Sequence, residues 1–101
     1  MAYQAYGSAI YNGSTLSLMA WLLKDGVRLT TAVTATAELR QASGTLISTF
    51  TPVSAPNSYG VFAFTAVSVS LSTNTQYTIT LGITDETAVV RSTIVPVLNF
   101  N

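Results

Sequence analysis

Few side chains in this sequence could carry chemistry. The charged set is Lys24, Arg28, Arg40 and Arg91 against Asp25, Glu38, Asp85 and Glu86, with no His and no Cys. A serine nucleophile activated by His is therefore excluded, and the commonest transition-metal ligands are missing. A Ser–Lys pair would have to use Lys24, which sits beside Asp25 at a turn signal and reads as a solvated charge. Glycoside hydrolysis needs two carboxyls that converge on one bond, and Asp85 and Glu86 are adjacent on a turn, with no need to converge. Calcium takes oxygen ligands only, and Asp85 and Glu86 with Thr84 or Thr87 could offer them. No EF-hand or repeat spacing surrounds them, so a structural turn is the better reading. Asn12-Gly13-Ser14 fits a glycosylation acceptor, but Asn-Gly is also the strongest hairpin dipeptide and is read as that. No catalytic, cofactor or metal residue is expected.

What remains is contact chemistry. Tyrosine, with an apolar ring and a polar tip, is enriched at protein interfaces. Tyr3, Tyr6, Tyr11 and Tyr59 are the candidates, with Met19 and Leu23 as apolar company. Three of these tyrosines fall in the first eleven residues, where a terminal arm could dock on a neighbour. The competing reading is ordinary edge packing, with 1–11 as the first strand of the fold.

These residues need a scaffold. Seven of the eight residues from Leu16 to Leu23 are apolar. The run is too short for the roughly 20 residues that cross a bilayer, and no Lys or Arg precedes it to make a signal peptide. Membrane insertion is not expected. Leu16, Met19, Ala20 and Leu23 fit a helical face, while Leu16, Leu18, Ala20 and Leu22 fit one face of a strand. Downstream, alternation is plain. Val33, Ala35, Ala37 and Leu39 share one face. After the Ala42-Ser43-Gly44 turn, 45–51 resumes as strand, with Leu46 and Phe50 opposite Ile47. Pro52 to Gly60 is a loop. Residues 61–71 alternate with both faces starting apolar, and 72–75 is a short polar turn. Tyr77, Ile79, Leu81 and Ile83 form the cleanest amphipathic strand, ending at the Asp85-Glu86 turn. The last strand, 89–98, contains Pro96, which places it at an edge or bulge. Trp21, Phe62, Phe64 and Tyr77 are assigned to the core. One domain is expected over 1–101, all-β, a sandwich of six to seven mostly antiparallel strands. In that company 16–23 reads as strand. Both of its faces are apolar, so Met19, Trp21 and Leu23 need a second cover, from this chain or from a neighbour. Exposure of Met19 and Leu23 in a solitary monomer would count against this reading.

The order of LLKDGVRL (22–29), AVTATAELR (32–40), SGTLI (43–47), SYGVFAFT (58–65), TQYTITLGIT (75–84) and STIVPV (92–97) resembles immunoglobulin-like modules of adhesins, macroglobulin-like proteins and phage structural proteins. The resemblance implies the architecture, with Trp21 filling the core space of the antibody-type Trp. It carries no catalytic residue.

Composition narrows the function. Charged residues are 8% of the chain and sum to zero. No basic patch exists to neutralise phosphates, so no nucleic-acid partner is expected. Polarity comes from 16 Thr and 11 Ser, a β-protein composition. A charge-poor, neutral surface favours association. The leading expectation is a structural or assembly protein in a virion: a capsid decoration, cement or tail-associated subunit that contacts capsid or tail proteins, or itself. A short chain beginning at Met1, without chemistry, fits that role. The alternative is an extracellular binding module, an adhesin or carbohydrate-binding sandwich that uses Asn57 and Tyr59 at a loop tip.

Overall fold

A computed structural model describes residues 2–72 and 75–99. The centre of the expected 72–75 turn lies outside the described residues. Nine strands follow in order: β1 Tyr3–Tyr11, β2 Thr15–Lys24, β3 Val27–Arg28, β4 Thr34–Gln41, β5 Leu46–Thr49, β6 Val61–Ala63, β7 Val67–Ser68, β8 Tyr77–Thr84 and β9 Val90–Asn99. The described residues contain no helix, and the fold is an all-β sandwich. One sheet is built on β2, which pairs with β1, β3, β6 and β7; the other runs β5-β4-β8-β9. These ladders are antiparallel. The sheets join through one parallel pairing, Ala9↔Val97 to Tyr11↔Asn99, between β1 and β9.

The turns follow from their residues. Asn12-Gly13 closes the β1–β2 hairpin, and the Asn12 Oδ1 accepts from the Ser14 and Thr15 N–H groups at 3.2 and 2.8 Å. Asp25 and Gly26 both take positive φ, 53° and 81°, the backbone that a tight two-residue hairpin turn requires. The disputed 16–23 stretch lies within β2 as a strand: Leu16, Leu18, Ala20 and Leu22 are buried, and the residues between them are not. They meet Ala35, Ala37 and Leu39 of β4 and Ile79, Leu81 and Ile83 of β8 in one core.

Several expectations are corrected. Nine strands replace six or seven, partly because 61–71 breaks in two. Phe62 and Phe64 point inward on one parity and Leu71 on the other. The interruption between β6 and β7 shifts the phase and lets both apolar faces reach the core. Tyr11, expected at an interface, is only 2% exposed. Its hydroxyl donates to the Val69 carbonyl at 3.0 Å and accepts from the Leu71 N–H at 3.2 Å. Residues 3–11 are thus a strand of the sandwich, not an arm. Trp21, expected in the core, lies on the outer face of β2, because its parity is that of Met19. Val33 precedes β4 and is exposed rather than inward.

Gly7 leaves no room for a side chain between its own sheet and Leu81 of β8. A Cβ there would overlap Leu81 Cδ1 and lie 2.8 Å from the Met19 carbonyl oxygen. Gly7→Ala is expected to cost about 1–3 kcal/mol by overpacking, read as a lowered urea midpoint at unchanged slope.

Candidate interaction surface

The outer face of the β2 sheet is assembled by register. Tyr6 stands directly opposite Trp21, Ser8 opposite Met19 and Ile10 opposite Ser17. On the other side of β2, Val61 faces Trp21 and Ala63 faces Met19. The Tyr6 and Trp21 rings stack, with centroids 6.3 Å apart and planes 16° from parallel. The Arg28 guanidinium caps the Trp21 ring at 5.3 Å. Trp21 is half-buried by these cross-strand neighbours alone. Met19 remains 44% exposed, Leu23 is half-buried, and no described segment of the chain covers this face. The second cover expected for Met19 does not come from the described residues of this chain, and its exposure counts against the expectation that both faces of β2 are covered. An indole, a phenol and a thioether in one plane, with a single cation at the margin, suit contact with another protein surface.

Lys24, Asp25, Asp85, Glu86 and Arg91 gather at the end of the sandwich where β1 begins. Asp85 continues the inward parity of Tyr77, Ile79, Leu81 and Ile83 and is fully buried. Its Oδ1 accepts from the Thr87 N–H at 2.8 Å, the Thr87 hydroxyl at 2.7 Å and the Val89 N–H at 3.0 Å, and its Oδ2 from Arg91 Nε at 2.9 Å. Burial opposes ionisation, but the Thr87, Val89 and Arg91 donors outweigh it and hold the carboxyl well below the usual carboxylate range. The Arg91 guanidinium lies 4.2 Å from the centre of the Tyr3 ring. The Tyr3 hydroxyl donates to Glu86, which also pairs with Lys24 at 3.7 Å. That bond to Glu86 raises the Tyr3 phenol above its ordinary value. Tyr3 is thus engaged in this end cluster rather than turned toward a partner. Asp85 and Glu86 do not converge. No group of three potential metal-ligating side chains occurs among the described residues.

The loop before β6 has its own internal brace. Asn57 Oδ1 accepts from the Tyr59 and Val61 N–H groups at 2.8 and 3.1 Å. Its carbonyl is committed to the backbone, and Tyr59 stands 74% exposed at the tip, apart from the other tyrosines. On the opposite sheet, a groove of about 520 Å³ crosses Thr36, Glu38, Thr80, Gly82, Val90 and Ser92. Its lining mixes Thr and Ser hydroxyls with the apolar Phe50, Pro52 and Val90, and its carboxylate is already paired with Arg40 at 3.0 Å.

The structure thus brings Tyr6 and Met19 onto one face with Leu23 at its margin, and sends Tyr3, Tyr11 and Tyr59 to three other places. Trp21 was missed as a surface residue, although its shared parity with Met19 was available in the sequence. No family model matches the chain, and no curated protein matches it. Among solved structures, the fold is similar to part of the beta-glucuronidase of Parabacteroides merdae, solved with glycerol in its active site. The TM-score is 0.61 at 10% identity, over 96% of this chain and 13% of that one. At that identity the likeness is one of fold: a β-sandwich of this size occurs there as a small part of a much longer chain.

Proposed function

We propose that this chain is a non-enzymatic structural or assembly protein, a virion component of the decoration, cement or tail-associated kind, that acts through protein–protein contacts. The observation that carries the reading is the Tyr6–Trp21–Met19 face: ordered, apolar and left uncovered by the described residues, on a chain of zero net charge. Two further features support it. The buried carboxylate is saturated by Thr87, Val89 and Arg91, and the order of sequence motifs resembles that of immunoglobulin-like modules. Met19→Glu is expected to fold, since the side chain is already half in water, and to lose incorporation into the particle at least tenfold. Quantitative mass spectrometry of purified virions reads this. A wild-type chain absent from those particles would refute the assignment.

A second reading, an extracellular binding module, has one observation in its favour: Tyr59, held out by a braced loop. Glycan binding that Tyr59→Ala abolishes would establish it. One exposed aromatic is thin for a sugar site, because such sites combine stacking with convergent hydrogen-bonding groups.

A further inference from the structure

The last strand, β9, is inverted. Its inward positions are Arg91, Thr93, Val95 and Val97, and its outward positions are Val90, Ser92, Ile94, Pro96 and Leu98. The side facing water is the more apolar one, and Ile94 is 66% and Leu98 51% exposed. In an ordinary half-buried strand the polar residues take that side. The stripe does not stop at the strand. The parallel pairing sets Leu98 beside Ile10, and β1 continues outward through Ser8, Tyr6 and Gln4. Tyr6, Ile10, Val90, Ile94 and Leu98 are each 39–66% exposed, an apolar patch on the order of 500 Å². That is in the upper half of the range for the largest patch on a monomer, about 300–600 Å². With Gln4, Ser8, Ser92 and Pro96 it approaches the roughly 800 Å² that each partner contributes to a standard interface.

From this we infer that the β1–β9 seam is the contact face for a second copy of this chain, packed about a two-fold axis at Ile94. The inference rests on the reading of the chain as an assembly protein and names a partner for it. Three properties point to a copy. The area approaches that of a standard dimer interface. The seam's outward residues from 4 to 10 and from 90 to 98 include no Asp, Glu, Lys or Arg, so superposing the face on itself opposes no like charges. The outward residues also mirror one another about Ile94. With β9 strands antiparallel across the axis, Ile94 meets its own copy, Leu98 lies opposite Val90, and Pro96 lies opposite Ser92.

Light scattering behind size-exclusion chromatography, from micromolar to millimolar chain, tests this directly. The mass is expected to rise from 10.7 kDa toward twice that value. Ile94→Glu should hold it at one chain throughout, with an unchanged circular dichroism spectrum. Val27→Glu, at an exposed position on the β2–β3 hairpin, should behave as wild type. Because the chain has no cysteine, an Ile94→Cys chain should be joined into a covalent dimer by a short bis-maleimide, and a Val27→Cys chain should not. A wild-type chain that stays monomeric at millimolar concentration overturns the inference, as does association that Ile94→Glu leaves intact. A monomer that still copurifies with particles would remove the second copy and leave the assembly reading standing. A dimer absent from particles would do the reverse.

Discussion

Removal of residues 1–11 is expected to abolish the fold rather than trim it. All nine residues of β1 are in register with β2, from Tyr3↔Lys24 to Tyr11↔Leu16. The strand's far end carries the parallel bridge that joins the two sheets. Ala9 and Tyr11 are buried in the common core. Burying a ring of that size is worth about 2–3 kcal/mol. Losing it, together with a whole ladder and the Tyr11 hydroxyl bonds to Val69 and Leu71, exceeds what a domain with about 5–15 kcal/mol of net stability tolerates. The truncated chain should show collapsed amide dispersion by NMR and no cooperative melt. Tyr11→Phe, which removes the hydroxyl alone, should remain folded and lose roughly 1–2 kcal/mol. A truncated chain that stayed folded and lost only its ability to associate would restore the docking-arm reading of 1–11.

The second large effect belongs to Asp85. Asp85→Ala leaves the Thr87 hydroxyl, two backbone N–H groups and the Arg91 guanidinium without their acceptor, in a place where water does not reach the carboxyl. Stranded buried donors and an unpaired charge are among the few causes of severe destabilisation. The expected drop in Tm is on the order of 10 °C or more. Asp85→Asn keeps the shape but places an amide where only acceptors fit, and should fall between the two. The pH dependence has a definite sign. The folded carboxyl ionises below its unfolded value of about 3.9. The stabilisation this brings is complete above about pH 4 and is lost as the pH falls toward the folded value. Wild-type Tm should therefore decline steeply below about pH 4, and the Asn variant's decline should be shallower. Thermal melts followed by circular dichroism across that range decide it. Parallel wild-type and Asn curves would mean that Asp85 is not the group responsible.

Much of this was legible in residue spacing. The odd-numbered run from Tyr77 to Ile83 buries as its alternation requires, and extending the same parity one step places Asp85 inside. The face of β2 that reaches the core followed from Leu16, Leu18, Ala20 and Leu22. In β1, Tyr3, Ala5 and Gly7 mark the inward parity. Carried two steps further it takes Tyr11 into the core and leaves Tyr6 outside, so grouping the tyrosines by type rather than parity was the error. Other features had no local signal. The phase shift between Phe64 and Val67 depends on tertiary packing that accepts both faces. β9 is apolar on both parities, and its inversion emerges only when its registers with β8 and β1 are known.

The parallel bridge between β1 and β9 has a consequence for how the molecule comes into being. Its partners, Ala9 with Val97 through Tyr11 with Asn99, are 88 positions apart, since 97 − 9 = 88. During synthesis no such contact exists until residues 97–99 have left the ribosome. Until then the free edge of β1 and the free edge of β8 are both bare. Closing so long a loop carries its entropy cost before any of the seam's contacts offset it. The sandwich is therefore completed last at the place where its first and last strands meet, and the nascent chain spends its vulnerable interval with two strand edges open.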